Sequence, residues 1–421
     1  MRTSGVRFNP VVAAAAICAS AFYILRIPLR DRDAFVSLFP MERITSVSGR
    51  VLSSPVPAYG GDRYSCLFRA DSVRTGDGCA SSSSGTVTLL FPARMIESFF
   101  PGKLYSVSAE SAGFVCETGA EVTAEGQFRR GEFNVARVTS WKFPDSLSGR
   151  MNSVRAASRL RFRRLMYSWN GAGGLLLSLI AGSREYTETD TAMAFRNAGL
   201  SHILALSGMH LSLFSGIAVF LGRRAGRRFR LFMQIMLTLM FVWFAGLSPP
   251  LLRAFICSSV LFAAELSGSP KPRFLPVLCF SFLLQSVLSP RSVHDVSFVL
   301  SYGALAGITV FGDMFRRIFV RIFPPPVSGS VSSSVSAQIL TAPVSLSVFG
   351  VFCPAGIAAT SLVAPAVTLF IYCGLFCTVA GLVFPETAGI SGIFLNFLYT
   401  VIKRSVMLFS RFPKIHLRSL I

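Results

Sequence analysis

Acidic residues are scarce in this chain. Only 20 Asp and Glu stand against 41 Lys and Arg, a formal net charge of +21 over 421 residues. Charge of either sign is thin as well, at 14% of residues, while 52% are hydrophobic and mean hydropathy is +0.57. A soluble chain of this length needs more polar surface, so the composition fits a polytopic membrane protein. Within the apolar runs Glu265 is the only acidic residue well inside. That scarcity argues against an ion-coupled transporter of small molecules or ions, which needs intramembrane carboxylates. There are four histidines and no CxxC, and no His, Cys or carboxylate set stands at ligand spacing, so no metal and no cofactor is expected.

The surplus of arginine suits anionic headgroups or a nucleic-acid backbone, although cytoplasmic loops of membrane proteins are basic in any case. Residues 1–40 hold a first apolar run, Pro10 to Leu29, that reads as a membrane anchor rather than a cleaved leader, because apolar residues continue where a cleavage site would stand. Residues 41–141 change character. ITSVSGRV, YSCLFRADSV, GTVTLLF, LYSVSAE and FNVARVTSW are short alternating runs between Gly, Pro and Ser turns. Five such strands suit a small sandwich or a five-stranded barrel of the OB type. Cys66, Cys79 and Cys116 fall here, and in an oxidising compartment two of the three could pair. Residues 142–170 carry Arg155, Arg159, Arg161, Arg163 and Arg164 among apolar neighbours and predict a basic amphipathic helix on the membrane surface. Residues 171–421 form a helical membrane domain with apolar segments near 171–182, 200–221, 231–247, 250–267, 274–289, 296–312, 334–350, 354–383 (broken at a proline) and 390–402. The fold class expected is a polytopic α-helical membrane protein with an N-terminal extracytoplasmic β domain. Basic clusters at Arg223–Arg230, Lys271–Arg273 and Arg316–Arg321 place those loops in the cytoplasm.

The run GLSHILALSGMHLSLFSG, Gly199 to Gly216, is apolar enough for a bilayer yet holds two histidines and four serines. Read as one helix, it sets His202 and His210 eight residues apart on a similar face. Two imidazoles alone make an incomplete metal site. Ser207, three residues before His210, could meet it as in a hydrolase, but SGMH is no GxSxG elbow and no carboxylate is close in sequence. Gly208, Ser212 and Gly216, four apart, form a small-residue stripe for helix packing. Three further places stand out: SPPLLRAF with Arg253, HDVSFVLSYGALAGI with His294 and Ser301, and two proline-bearing helices with Pro343 and Pro365.

Taken in order, these segments resemble the ComEC family of DNA-uptake channels of natural competence. GLSHILALSGMHLSLFSG is similar to the family's central His-x7-His helix, PPLLRAF to its proline–arginine helix start, and SPRSVHDVSFVLSYGALAGI to a later helix. The resemblance implies an inner-membrane channel that imports single-stranded DNA, working with a periplasmic DNA receptor and with a cytoplasmic helicase or single-strand-binding protein. It implies a pore lined by His202, Ser207, His210, Arg253, His294 and Ser301. The outer domain would receive DNA through Arg63, Arg69, Arg74, Arg129, Arg130 and Arg137. Tyr64, Phe68 and Phe133 could stack on bases there, with the barrel core as the favoured alternative. Many family members add a metallo-β-lactamase-like nuclease. No HxHxDH cluster occurs in these 421 residues, so no enzymatic activity is expected. Where the family often has Asn in its penultimate broken helix, this chain reads Ala359, Thr360, Ser361.

Overall fold

The computed structural model describes residues 9–23, 34–58, 62–97, 115–246, 248–270 and 272–416. After α1 (Pro10–Tyr23) comes a sheet region of β1 (Val36–Ser37), β2 (Ile44–Val51), β3 (Val56–Ala58), β4 (Arg63–Thr75), β5 (Ala80–Ser84) and β6 (Thr86–Pro92). The short α2 (Ala93–Glu97), β7 (Glu121–Arg129) and β8 (Glu132–Lys142) follow. Four of the five predicted strands lie in β2, β4, β6 and β8; LYSVSAE lies outside the described residues. β2 pairs with β4 and β7, β7 with β8, β8 with β6, and β6 with β4, so these five strands form a closed ring. All pairings in the ring are antiparallel except β6–β8, where Leu89 faces Phe133. The turn between β7 and β8 is two residues long, with Arg130 at φ 54° and Gly131 at φ 81°. Positive φ at both positions matches the right-handed twist of a hairpin. Inside the ring Tyr64, Phe68, Leu89, Phe91, Val122 and Phe133 are buried together, so the aromatics named for stacking belong to the core.

From β8 the chain enters α3 (Leu147–Ser168), capped by Ser146, whose side chain accepts from the Gly149 N–H at 3.2 Å. Then come α4 (Asn170–Leu176), a π turn, α5 (Thr189–Asn197), α6 (Ser201–Leu204), α7 (Gly208–Leu221), α8 (Arg227–Ala245), α9 (Pro249–Leu266) and α10 (Phe274–Leu288). α11 (Val296–Phe319), α12 (Pro325–Phe349), α13 (Gly356–Val383) and α14 (Thr387–Ser410) complete the helices. β9 (Val351–Phe352) pairs with β10 (Ile415–His416) near the chain's end. Among the described residues six helices, α8, α9 and α11 to α14, are long and apolar enough to cross a membrane. The described residues are thus mostly helical, with a β region ahead of six helices that are long and apolar enough to cross a membrane.

Three readings change. The Gly199–Gly216 run is not one helix: it breaks between Leu204 and Gly208, where Ala205 is extended. His202 therefore sits exposed on α6, off the face that carries His210. Second, α13 runs unbroken through Pro365; packed neighbours tolerate an interior proline in such helices. Third, α3 does not turn its arginines outward. Arg155, Arg159, Arg163 and Arg164 are buried while Arg161 stays exposed, and carboxylates from other parts of the chain reach Arg159 and Arg163.

A buried polar seam as candidate functional site

The break before α7 is closed by a cap of unusual composition. The Ser207 N–H donates to Nδ1 of His210 at 3.2 Å, and the Ser207 hydroxyl stands 3.4 Å from the same nitrogen. A Glu or Gln at the third helical position normally plays this part. With Nδ1 accepting, the neutral ring carries its hydrogen on Nε2. His210 is 1% exposed. Its neighbour Gly208 has no side chain for a steric reason: a Cβ there would meet the Cβ of Ala254 at 3.3 Å and Nη2 of Arg253 at 3.4 Å.

Arg253 is 5% exposed, one turn into α9. Pro249 and Pro250 open that helix, where missing N–H groups cost nothing. Its Nη1 donates to both the carbonyl and the hydroxyl oxygen of Ser301 on α11, and its guanidinium lies 5.8 Å from the Tyr302 ring centre. The Tyr302 hydroxyl donates to Oε1 of Gln285 at 2.9 Å and stands 3.2 Å from the Ser281 hydroxyl; Nε2 of Gln285 donates to the Pro249 carbonyl at 3.0 Å. Hydrogen bonds thus join α9, α10 and α11 in a polar seam through otherwise apolar helices, and the capped start of α7 abuts it where Gly208 faces Nη2 of Arg253. Among the described residues no carboxylate pairs with Arg253.

Of the six predicted lining residues, Ser207, His210, Arg253 and Ser301 lie in or beside this seam. His294 does not: it is exposed in the turn before α11, its ring edge-on to Tyr23 of α1 at 6.4 Å, and the Tyr23 hydroxyl donates to the Val293 carbonyl. Gln285, Ser281 and Tyr302 are members that sequence reading passed over; Ser281 and Gln285, one helical turn apart in an apolar helix, were the available signal. The small-residue stripe divides as well. Gly208 packs on α9, Gly216 lies beside the Tyr372 hydroxyl, and Ser212 is exposed and bonds back to the Met209 carbonyl.

A family model described as "Competence protein" matches residues 179–420, the stretch that holds the whole seam. The chain belongs to this competence protein family. It is 24% identical over 147 residues to ComE operon protein 3 of Bacillus subtilis, covering 34% of this chain and 19% of that protein. It is 27% identical over 143 residues to Recombination protein 2 of Haemophilus influenzae, 31% and 18% of the two chains. The uncharacterized protein YcaI of Escherichia coli is 26% identical over 212 residues, 47% and 26%. The chain therefore spans about a quarter or less of the curated relatives it matches. No solved structure matches it.

The β region and α3 precede the competence match. On the outside of the ring lies a cleft of about 820 Å³, lined by serines and threonines together with Arg63, Arg74 and Arg129. Arg69, Arg130 and Arg137 are exposed but do not line it. Cys66 and Cys116 are buried in one core, whereas Cys79 is exposed. A hydrogen bond with Cys66, and burial, push the Cys116 thiol well up.

Beside Cys116, Glu117 anchors α3. Nε of Arg159 lies 3.2 Å and Nη2 of Arg163 3.1 Å from its Oε1, while Ser54 donates to its other oxygen at 2.6 Å. Arg163 also pairs with Glu185 at 3.1 Å, in the loop before α5. Nη1 of Arg159 donates to the Phe244 and Ala245 carbonyls at the end of α8, at 2.7 and 3.2 Å. Burial alone would raise the Glu117 carboxyl; Arg159 and Arg163 overcome it and hold the group at about 2. The arginines of α3 therefore bolt the β region to the helical domain.

Proposed function

We propose that this protein is an inner-membrane channel that passes single-stranded DNA inward during natural competence. The observation that carries this reading is Arg253, buried between apolar helices and paired with no carboxylate among the described residues. A phosphodiester backbone cannot cross hydrocarbon, and neutral polar groups with sparse cations attract phosphates without trapping them. His202, Ser207, His210, Arg253, His294 and Ser301 are the lining residues on this reading, four of them in or beside the seam. The β region is an OB-like domain on the outer face, supported by its closed five-strand ring with a single parallel pair. Arg63, Arg74 and Arg129 would hold the arriving strand in their cleft by its backbone, since the ring's aromatics are buried. A periplasmic DNA receptor and a cytoplasmic helicase or single-strand-binding protein are the expected partners.

The hydrolase alternative loses its chemistry here: His210 spends Nδ1 on the Ser207 backbone, and no carboxylate orients the ring among the described residues. An ion-coupled transporter lacks its acid, because Glu265 is paired with Arg227 and Arg230 at the end of α9. The test is delivery of labelled DNA to the cytoplasm in cells with and without the gene. Loss of delivery on deletion, restored by the intact gene, is expected; delivery that does not depend on the gene refutes the channel.

A further inference from the structure

Among the described residues, four buried polar atoms without a hydrogen-bond partner lie on or next to the mutually contacting helices α7, α8 and α9. They are Nε2 of His210 on α7, Nε1 of Trp243 near the end of α8, Oγ of Ser248 just ahead of α9, and Nε of Arg253. Three of them are N–H donors, and the hydroxyl can donate too, so the set as a whole lacks an acceptor. A donor buried without an acceptor is destabilising. The three helices meet there in a shared core that includes Leu206, Leu211, Val242, Leu251 and Ala254.

The guanidinium of Arg253 is half used. Nη1 is engaged with Ser301, while Nη2 faces the first helical residue of α7 across the space that Gly208 leaves free. The Nε–Nη2 edge is the fork that grips two oxygens of one anion. α7 and α9 both begin at this corner, so the positive ends of both dipoles add to the same field. Arg155 and Arg159 donate to the Phe244 carbonyl near the end of α8, and Glu117 and Glu185 pair with Arg159 and Arg163 of α3. Among the described residues no carboxylate pairs with Arg253.

We propose that this corner is a discrete oxyanion site, taking one phosphodiester group at a time, with the Nε–Nη2 edge of Arg253 on its two free oxygens and His210 Nε2 and Ser248 Oγ as further donors. It rests on the channel reading for the source of the phosphodiester. A lipid headgroup offers the same phosphoryl oxygens, so the test separates the two.

The full chain, labelled with ¹⁵N-histidine and held in dodecyl maltoside without phosphate, is titrated with a thymidine dinucleotide, which has a single phosphodiester. The His210 resonance, assigned by His210→Gln, is expected to shift saturably, with His202 and His294 unmoved. The uncharged methylphosphonate dinucleotide should leave it in place. Arg253→Lys should weaken the response by roughly tenfold or more and Arg253→Gln should abolish it. The unmoved His202 and His294 signals report that each variant is folded. No saturable shift, or one that survives Arg253→Gln, overturns the site, and so does a response to short-chain phosphatidylglycerol but not to the dinucleotide. DNA delivery in cells is scored separately. Binding at His210 without gene-dependent delivery removes the channel and leaves the site; delivery without a response at His210 removes the site and leaves the channel.

Discussion

Glu117 shows what one carboxylate does among guanidiniums. Its pKa falls from an ordinary 4.5 to about 2 on folding, so it contributes stability above pH 4.5 that is lost as pH falls from 4.5 toward 2. The linkage is worth about 3 kcal/mol. Melting of the purified protein should drop steeply across that window. Glu117→Gln should lower stability by roughly 3–5 kcal/mol at neutral pH, since it strands buried guanidiniums, and should flatten the acid limb. An acid limb that is unchanged in the variant would show that other groups carry it. The cysteines of the β region divide by environment in the same way. In the native protein a maleimide should modify Cys79 and spare Cys66 and Cys116, which are buried and whose pair includes a thiol held well up. Mass spectrometry after brief labelling checks this.

Among elements, α11 and α12 approach each other closely. A Cβ at Gly307 would run into the carbonyl of Ser336, whereas one at Gly312 would meet only Ile308 at 3.8 Å. Gly307→Leu should therefore destabilise the protein by about 1–3 kcal/mol and Gly312→Leu should be close to silent in a detergent melt. Equal losses at both positions would refute close packing as the reason. The elements were unevenly legible. ITSVSGRV coincides with β2, where Val47, Gly49 and Val51 alternate inward after a register shift near Thr45. β7 escaped notice: EVTAEGQFR buries only Val122 and Ala124 along its length and reads as polar loop. The break before α7 was hidden because apolar residues run through it and its cap uses His where the usual signature has Glu or Gln. The inward turn of the α3 arginines could not be read either, since Glu117 lies 42 residues from Arg159 and nothing local announces the pairing.

At the scale of the whole molecule, the ordered motifs between residues 199 and 374 were enough to suggest the family, while the seam's membership depended on helices far apart in the chain. Arg253 and Ser301 meet across 48 residues, and His294 drops out because its turn lies at the surface. The β cleft gives a test at this scale. If it holds a strand by its backbone, single-stranded oligonucleotide should bind with a steep negative salt dependence, independent of base sequence. Arg74→Ala with Arg129→Ala should reduce the salt slope by about 1.4, while Arg137→Ala, off the cleft, should leave it nearly unchanged. Equal effects from all three would assign binding to diffuse charge.

The closed ring has a mechanical consequence. An open sheet can shed or gain a strand at its edge; a ring of five strands has no edge to unzip, and widening it means breaking ladder bonds on both sides of a strand at once. Bolted to α3 through Glu117, such a body behaves as a stiff collar. Through Arg159 and Arg163 that collar is fixed both to the end of α8 and to the loop before α5.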